Sequence, residues 1–225
     1  MKKTQATVVQ AAQQFFPELS DDCSLLPFGK GNINTSYVFK YRLNTYILQK
    51  INSRVFPKPA LIIENIQVVY QYLRRHAPGL ALIQLLPTRS GERAWIDQTG
   101  AYWRLFPLIP NSCSFENAPS TEHAYLGAQA VGRFIQAMAR LDPATLHYSL
   151  PDFHNSLKRM EQFRRAIHQN KVGRLERVKR EVDFILQQSA LFQQIAAASL
   201  PLRIVHNDAK MDNILFDIHA GRPIG

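Results

Sequence analysis

Cysteine is scarce in this 225-residue chain: only Cys23 and Cys113 are present, and their separation fits no metal-ligand spacing. A disulfide-rich framework and a thiolate zinc site are thereby excluded, and two free thiols in a reducing cytoplasm are the expectation. Uninterrupted apolar sequence is also lacking, and no run reaches the length of a membrane span. Met1, Lys2 and Lys3 open like the charged start of a signal peptide, but Gln10, Gln13 and Gln14 interrupt what would be its apolar part. No signal peptide is expected, and the expected localisation is cytoplasmic. Acidic residues are in deficit: 17 Asp and Glu face 27 Lys and Arg, giving a net charge of +10.

That surplus raises the possibility of nucleic acid or an anionic surface as a partner. Much of it lies between Arg159 and Arg180, where Glu161, Glu176 and Glu181 also occur, and the pairs Glu176–Arg180 and Arg177–Glu181 stand at i,i+4. A solvated helix laced with ion pairs accounts for this segment, and no aromatic interleaving or nucleic-acid motif accompanies it. Neither nucleic acid nor membrane is therefore expected as a partner, while the remaining positive charge would suit an anionic ligand such as ATP. Hydrophobic residues make up 46% of the chain, enough for a true core. The length allows one large domain or two small lobes.

The first half reads as strand-rich. A short helix is expected over Thr7–Phe16, stopped by Pro17. Leu26 to Phe39 then places Gly29 and Gly31 between two apolar runs, as in a hairpin whose tip can approach a phosphate; an ordinary hairpin turn fits equally well. The next strand is Tyr46–Ile51. Alternation puts Leu48 and Lys50 on one face and Ile47 and Gln49 on the other. Lys50 reads either as a phosphate-binding cation or as an exposed strand-end lysine. A helix over Ala60–His76 carries Glu64, a possible partner for that lysine or a solvated charge near a helix start. Further strands are expected at Leu82–Leu86, Arg93–Ile96 and Ala101–Leu108, with turns at Arg89–Glu92 and Asp97–Gly100. Phe106–Pro110 then reads as a stiff connector.

The second half reads as helical: Thr121–Leu141, a helix capped by Asn155, and a long one over Val172–Ala198 ended by Pro201. Its last part is H-N-D-A-K-M-D-N-I-L-F-D at His206–Asp217, a polar loop between two expected short strands, Leu202–Val205 and Ile214–Phe216. Asp208 and Asn213 are five positions apart, with Lys210 between them. Phosphoryl transfer needs a carboxylate to orient the attacking hydroxyl, an oxygen ligand for magnesium and a cation near the developing charge. The protein-kinase catalytic loop has the same aspartate-to-asparagine spacing, although Asn207 here replaces its arginine. The competing reading is a hairpin loop rich in turn formers.

A strand-rich part, a stiff connector, a helical part and H-N-D-x-K-x-x-N together resemble the aminoglycoside phosphotransferase and choline kinase superfamily. G-N-I-N at Gly31–Asn34, Y-I-L-Q-K-I-N at Tyr46–Asn52, Glu64-Asn65-Ile66 and Pro151-Asp152-Phe153-His154 bring the likeness closest to N-acetylhexosamine 1-kinase-like phosphotransferases. The resemblance implies an α+β, protein-kinase-like fold of two lobes: a strand-rich nucleotide-binding lobe over residues 1–108 and a helical lobe over 109–225. It implies ATP and Mg2+ as cofactors and a small hydroxylated acceptor, in this group the anomeric hydroxyl of an N-acetylated amino sugar. Asp208 would be the catalytic base, with Lys210 beside it, and Asn213 the magnesium ligand. Gly29, Gly31 and Asn32 would line the triphosphate, Lys50 and Glu64 would serve the phosphates, and the hinge containing Phe106 and Leu108 would meet the adenine. Such kinases carry a second metal-binding acid on the strand after the catalytic loop. Here Pro223-Ile224-Gly225 begins that strand and the acid is absent, so the expectation is an incomplete helical lobe and an inactive piece of a longer kinase. A non-catalytic, kinase-like binding or regulatory module is the alternative.

Overall fold

The computed structural model describes residues 2–29, 33–80 and 83–224. The chain divides into two compact units, Met1–Ser149 with Arg203–Gly225, and Leu150–Leu202.

The first unit is built on an antiparallel sheet of five strands: β1 (Leu26–Pro27), β2 (Thr35–Tyr41), β3 (Asn44–Lys50), β4 (Trp95–Ile96) and β5 (Tyr102–Pro107), in the order β1-β2-β3-β5-β4. Helix α1 (Lys2–Gln13) covers one face, where Val8, Ala11, Ala12 and Phe15 pack with Phe39, Leu48, Trp103 and Leu105. Their helical spacing matches one apolar stripe. The helix begins before the expected Thr7, because its first turn carries no apolar period to reveal it. It also stops short of Phe16: the amides of Phe15 and Phe16 both close back on the Ala12 carbonyl as the chain turns towards Pro17. Helix α2 (Pro59–His76) covers the other face. Its Ile63 is buried with Ile51 and Leu85, and Ile62, Ile66, Tyr102 and Phe106 close around them. Pro59 suits the first turn of α2, and Arg74, Arg75 and His76 suit the negative end of its dipole.

Several expected elements change, the strand over Arg93–Ile96 shortening to β4 and that over Ala101–Leu108 to β5. Of Leu82–Leu86, Leu82 lies outside the described residues and the rest is irregular, attached to the sheet by the Leu86 amide donating to the Leu105 carbonyl. Phe106 and Pro107, read both as the end of a strand and as the start of a connector, belong to β5, because Ile47 and Tyr46 pair with them across the sheet. The connector begins at Leu108, whose amide donates to Thr45.

Beyond it, β6 (Ser112–Cys113) pairs antiparallel with β7 (Phe216–Asp217). Helix α3 (Thr121–Met138) starts at Ser120, whose hydroxyl accepts from the His123 amide. It ends before the expected Leu141: the Ala139 and Leu141 amides close back on the Gln136 and Met138 carbonyls in tighter three-residue turns. Asp142 instead caps a short turn through the Ala144 amide.

In the second unit α4 (Ser156–Gln169) is capped as expected, with the Asn155 side chain accepting from Lys158. Asn170 ends it in the left-handed conformation at φ 36°. The long helix expected over Val172–Ala198 is broken. A 3-10 turn at Leu175–Val178 leads into α5 (Lys179–Gln187), and α6 (Ser189–Ala197) follows a kink at Gln188, whose ψ of 4° departs from helical geometry. The break lets α6 fold back against α4. It also separates Glu176 and Arg177 from regular helical register, and among the described residues neither expected i,i+4 ion pair forms. Among the described residues, no helix is long and apolar enough to cross a membrane.

The turn between β4 and β5 is held by Asp97, 7% exposed. Its carboxylate accepts from the Thr99 amide and hydroxyl, the Ala101 amide and the Trp103 indole. Burial pushes this carboxyl up, but the hydrogen bonds from Thr99, Trp103 and Ala101 outweigh it and bring the pKa down to about 2. A carboxylate with a lowered pKa stabilises the fold above its unfolded value of about 4, and that contribution fades as pH falls towards 2. Asp97→Ala strands the Trp103 indole and two backbone amides, and is expected to cost about 1–3 kcal/mol at neutral pH. Urea melts at pH 7 and pH 3 are expected to show the gap between wild type and variant narrowing at the lower pH; an equal gap at both would contradict this account.

Candidate active site

The loop is anchored at both ends before its polar residues are placed. Ahead of it, the His206 ring meets Phe134 of α3 edge-on, 5.9 Å between centroids. Behind it, Phe216 is fully buried, with Phe115 and His123 around its ring. The strand expected before the loop, Leu202–Val205, does not form, and Leu202 and Val205 are exposed. The strand after it is shorter than Ile214–Phe216 but paired on both sides. Cys113 faces Phe216 on one side, and on the other the amides of Asp217 and Ile224 donate to Arg222 and Leu215.

Between these anchors Asn207 adopts a left-handed φ of 65°, which asparagine tolerates better than most residues. The chain then makes a 3-10 turn over Met211–Asn213. That turn swings Asn213 back onto Asp208, so that its amide nitrogen donates to the Asp208 carbonyl at 2.8 Å and to the carboxylate Oδ2 at 2.9 Å. Lys210 Nζ stands 3.1 Å from Asp212 Oδ2 and 3.9 Å from Asp208 Oδ2. The hydrogen bond to Asp212, then the charge of Asp208, raises its pKa above the ordinary lysine range. Asp208, Lys210 and Asn213 are all exposed, so these ion pairs are screened and contribute little to stability.

Other expected residues fall elsewhere. Gly29 takes a φ of 76°, which suits a tight turn, and the Phe28 amide beside it donates to Ser36. Gly31 and Asn32 lie outside the described residues. Asn52 ties the chain just ahead of β2 to the end of β3: its side-chain amide donates to the Ile33 carbonyl, and its backbone N–H donates to the Asn34 side-chain oxygen. Glu64 pairs with His147 at 3.0 Å, not with Lys50. Its neighbour Asn65 makes a two-way bond to the His147 backbone, at 2.8 Å each way. Lys50 rests over the Trp103 ring, 5.4 Å from its centroid, on the face covered by α1. Phe106 packs on the α2 side, and Leu108 is partly buried at the strand exit.

Alternation in β3 therefore turns Gln49, not Lys50, towards the α2 side. Gln49 is opposite Ser36 on β2 and Arg104 on β5, giving a row across three strands. Its Oε1 accepts from Arg104 Nε at 3.0 Å and Nη2 at 2.5 Å, and its Nε2 donates to the Ser36 hydroxyl at 2.9 Å. Arg104 Nη1 is closed off from solvent without a hydrogen-bond partner. Burial lowers the Arg104 pKa to about 10, which leaves it charged at neutral pH. Sequence reading missed this arginine because it lies in a strand with no motif around it; the only available signal was its parity with Phe106.

A cavity of about 820 Å³ lies within the first unit behind the loop, lined by Ile66, Tyr70, Phe134, His206, Lys210 and Asn213 among others. Asp208 and Lys50 are not among its lining residues.

A family model described as a phosphotransferase enzyme family matches residues 24–225. A microcompartment-associated aminopropanol kinase superposes with a TM-score of 0.66 at 16% identity, covering 99% of this chain and 66% of its own. An aminoglycoside phosphotransferase in a ternary complex with AMP-PNP and hygromycin B gives 0.54 at 16%, covering 96% and 69%. A putative aminoglycoside phosphotransferase from Ralstonia eutropha gives 0.52 at 14%, covering 99% and 63%. These likenesses show a kinase-like α+β fold. The chain spans about two thirds of the aminopropanol kinase, 66% of its length.

Gly127 on α3 faces the loop from close range. A Cβ there would stand 2.8 Å from Met211 Sδ and 3.3 Å from Ile214 Cδ1, whereas one at Gly132 would meet nothing within 4 Å. Gly132→Ala is expected to stabilise by about 0.5–1 kcal/mol through helix propensity. Gly127→Ala should gain nothing, because crowding of Met211 and Ile214 offsets the same term. Paired thermal melts check this, and an equal rise for both would mean that the loop is not held against α3.

Proposed function

The chain belongs to the phosphotransferase enzyme family, and from that premise we propose that it transfers a phosphoryl group from ATP to a hydroxyl of a small molecule. The observation that carries this reading is the bond between Asn213 and Asp208, which fixes two side chains of opposite function in one tight turn. Asp208 is the group that orients the acceptor hydroxyl and takes up its proton as the O–P bond forms. Lys210, 3.9 Å from the Asp208 carboxylate, stands where charge on the transferred group can be met.

The donor atoms fit a magnesium ion carried by the nucleotide. Asn213 commits its Nδ2 to Asp208, and Oδ1 has no hydrogen-bond partner among the described residues. Asn213 Oδ1 would hold the ion. Magnesium keeps several waters and phosphate oxygens and asks few ligands of a protein, and when bound it neutralises charge on the bridging phosphates. Among the described residues no cluster of three or more His, Cys, Asp or Glu could hold a metal unaided.

The nucleotide part is residues 1–108, with Gly29 in the phosphate hairpin and Phe106 and Leu108 at the adenine edge; the acceptor part is 109–225. The AMP-PNP and hygromycin B held by one structural neighbour support a nucleotide donor and a small acceptor. For the acceptor we propose the anomeric hydroxyl of an N-acetylated hexosamine, on the strength of G-N-I-N, Y-I-L-Q-K-I-N and P-D-F-H in this sequence.

The test is ADP release and phosphate-ester formation by the full chain with ATP and Mg2+ over N-acetylhexosamines, choline and aminoglycosides. A sugar 1-phosphate is expected. Ester formation only on choline or aminoglycosides would overturn the acceptor assignment, and ATP binding without any ester would favour either a chain inactive in transfer or a regulatory module. Asp208→Asn should lower turnover at least about a hundredfold and leave ATP affinity nearly unchanged.

A further inference from the structure

We infer that Arg104, held in plane by Gln49, is the cation that binds the nucleotide phosphates in this chain, supplied from β5 and not by a lysine on β3. The inference rests on the ATP-dependent reading above. Three observations carry it. The first is parity: on β3 the residue facing the α2 side is Gln49, while Lys50 lies on the opposite face over Trp103.

The second is the hydrogen-bond account of the row. Gln49 spends its acceptor on Arg104 Nε and Nη2 and its donor on Ser36, so the amide locks the guanidinium plane but provides no negative charge. Among the described residues no carboxylate pairs with Arg104 and none supplies an acceptor to Nη1. A guanidinium shut away from water needs an oxyanion, and an unmet N–H there is costly. Arginine's fork of donors matches phosphate oxygens, and unlike lysine it stays charged when burial lowers its pKa.

The third is place. The row begins at Ser36, the second residue of β2, directly after the glycine-bearing hairpin that is read as the triphosphate loop. Arg104 as a whole is only partly buried, and with Nε and Nη2 held by Gln49 it is Nη1 that remains to meet a phosphate oxygen. Gln49 is thus a positioning residue for Arg104.

The experiment is calorimetric titration of the full chain with ATP and with adenosine, for wild type, Arg104→Met, Lys50→Met and the exchange Gln49→Lys/Arg104→Gln, each with a thermal melt. Wild type is expected to prefer ATP over adenosine. Arg104→Met should lose at least about tenfold of that preference with adenosine affinity unchanged, which a purely structural arginine would not produce. Lys50→Met should lose less. The exchange keeps a cation in the row on the strand beside it and should recover part of the preference, even if Arg104→Met folds poorly. Equal losses for ATP and adenosine, a preference that survives in Arg104→Met, or a larger loss in Lys50→Met would overturn the inference alone. A wild-type chain with no preference for ATP would overturn the nucleotide reading along with it.

Discussion

Leu48 has no exposed surface, and the arrangement of the nucleotide-facing part follows from that burial. It sits in β3 between β2 and β5, against Trp103, Leu105 and the apolar stripe of α1. A strand allows only two facings, so burying Leu48 under α1 sends its neighbours Ile47 and Gln49 to the α2 side. Moving the pairing by one residue would place a polar amide in the aromatic and aliphatic core and strip α1 of its partner. Hydrophobic packing on one face of the sheet thus decides which polar groups stand on the other, and Ser36, Gln49 and Arg104 line up there because their strands share this register.

A different constraint governs the loop. Asp208, Lys210 and Asn213 are exposed and gain little from mutual attraction, yet they are close-set because the backbone around them is pinned. Phe216 is buried among Phe115 and His123, and Gly127 allows α3 to approach Met211 and Ile214. Apolar groups pay for the position of the polar ones. This division suits a site whose charged groups must remain open to a ligand.

Much of the fold was legible. The hairpin before β2, the strand carrying Leu48, the helix after Pro59 and the turn at Asp97–Gly100 all left local marks: alternation, a proline at a helix start, a turn-forming tetrapeptide. The Asn155 cap was visible for the same reason. What escaped was non-local. The break at Gln188 reflects packing of α6 on α4, and propensity alone reads through it. The pairing of β6 with β7 joins residues too distant in sequence for any window to connect. At the site, the loop's composition and spacing were plain, but the partner of Glu64 was not, because His147 is brought to it by the fold and not by the chain. Arg104 is the clearest case: an arginine in an apolar strand has no local signature, and its meaning comes from the amide on the next strand.

The two-residue ladder of β6 and β7 closes a long excursion of the chain, since Ser112 meets Asp217 and Cys113 meets Phe216. The entropy lost in closing such an excursion rises only with the logarithm of its length, so lengthening or trimming the segment inside it changes the closure cost by a fraction of a kcal/mol. The segment Leu150–Leu202, a compact unit in its own right, lies wholly inside that excursion. Evolution can therefore insert, shorten or exchange it almost freely while the loop, tied at the ladder, keeps its shape. A chain wired in this way separates the part that must not vary from the part that can diversify.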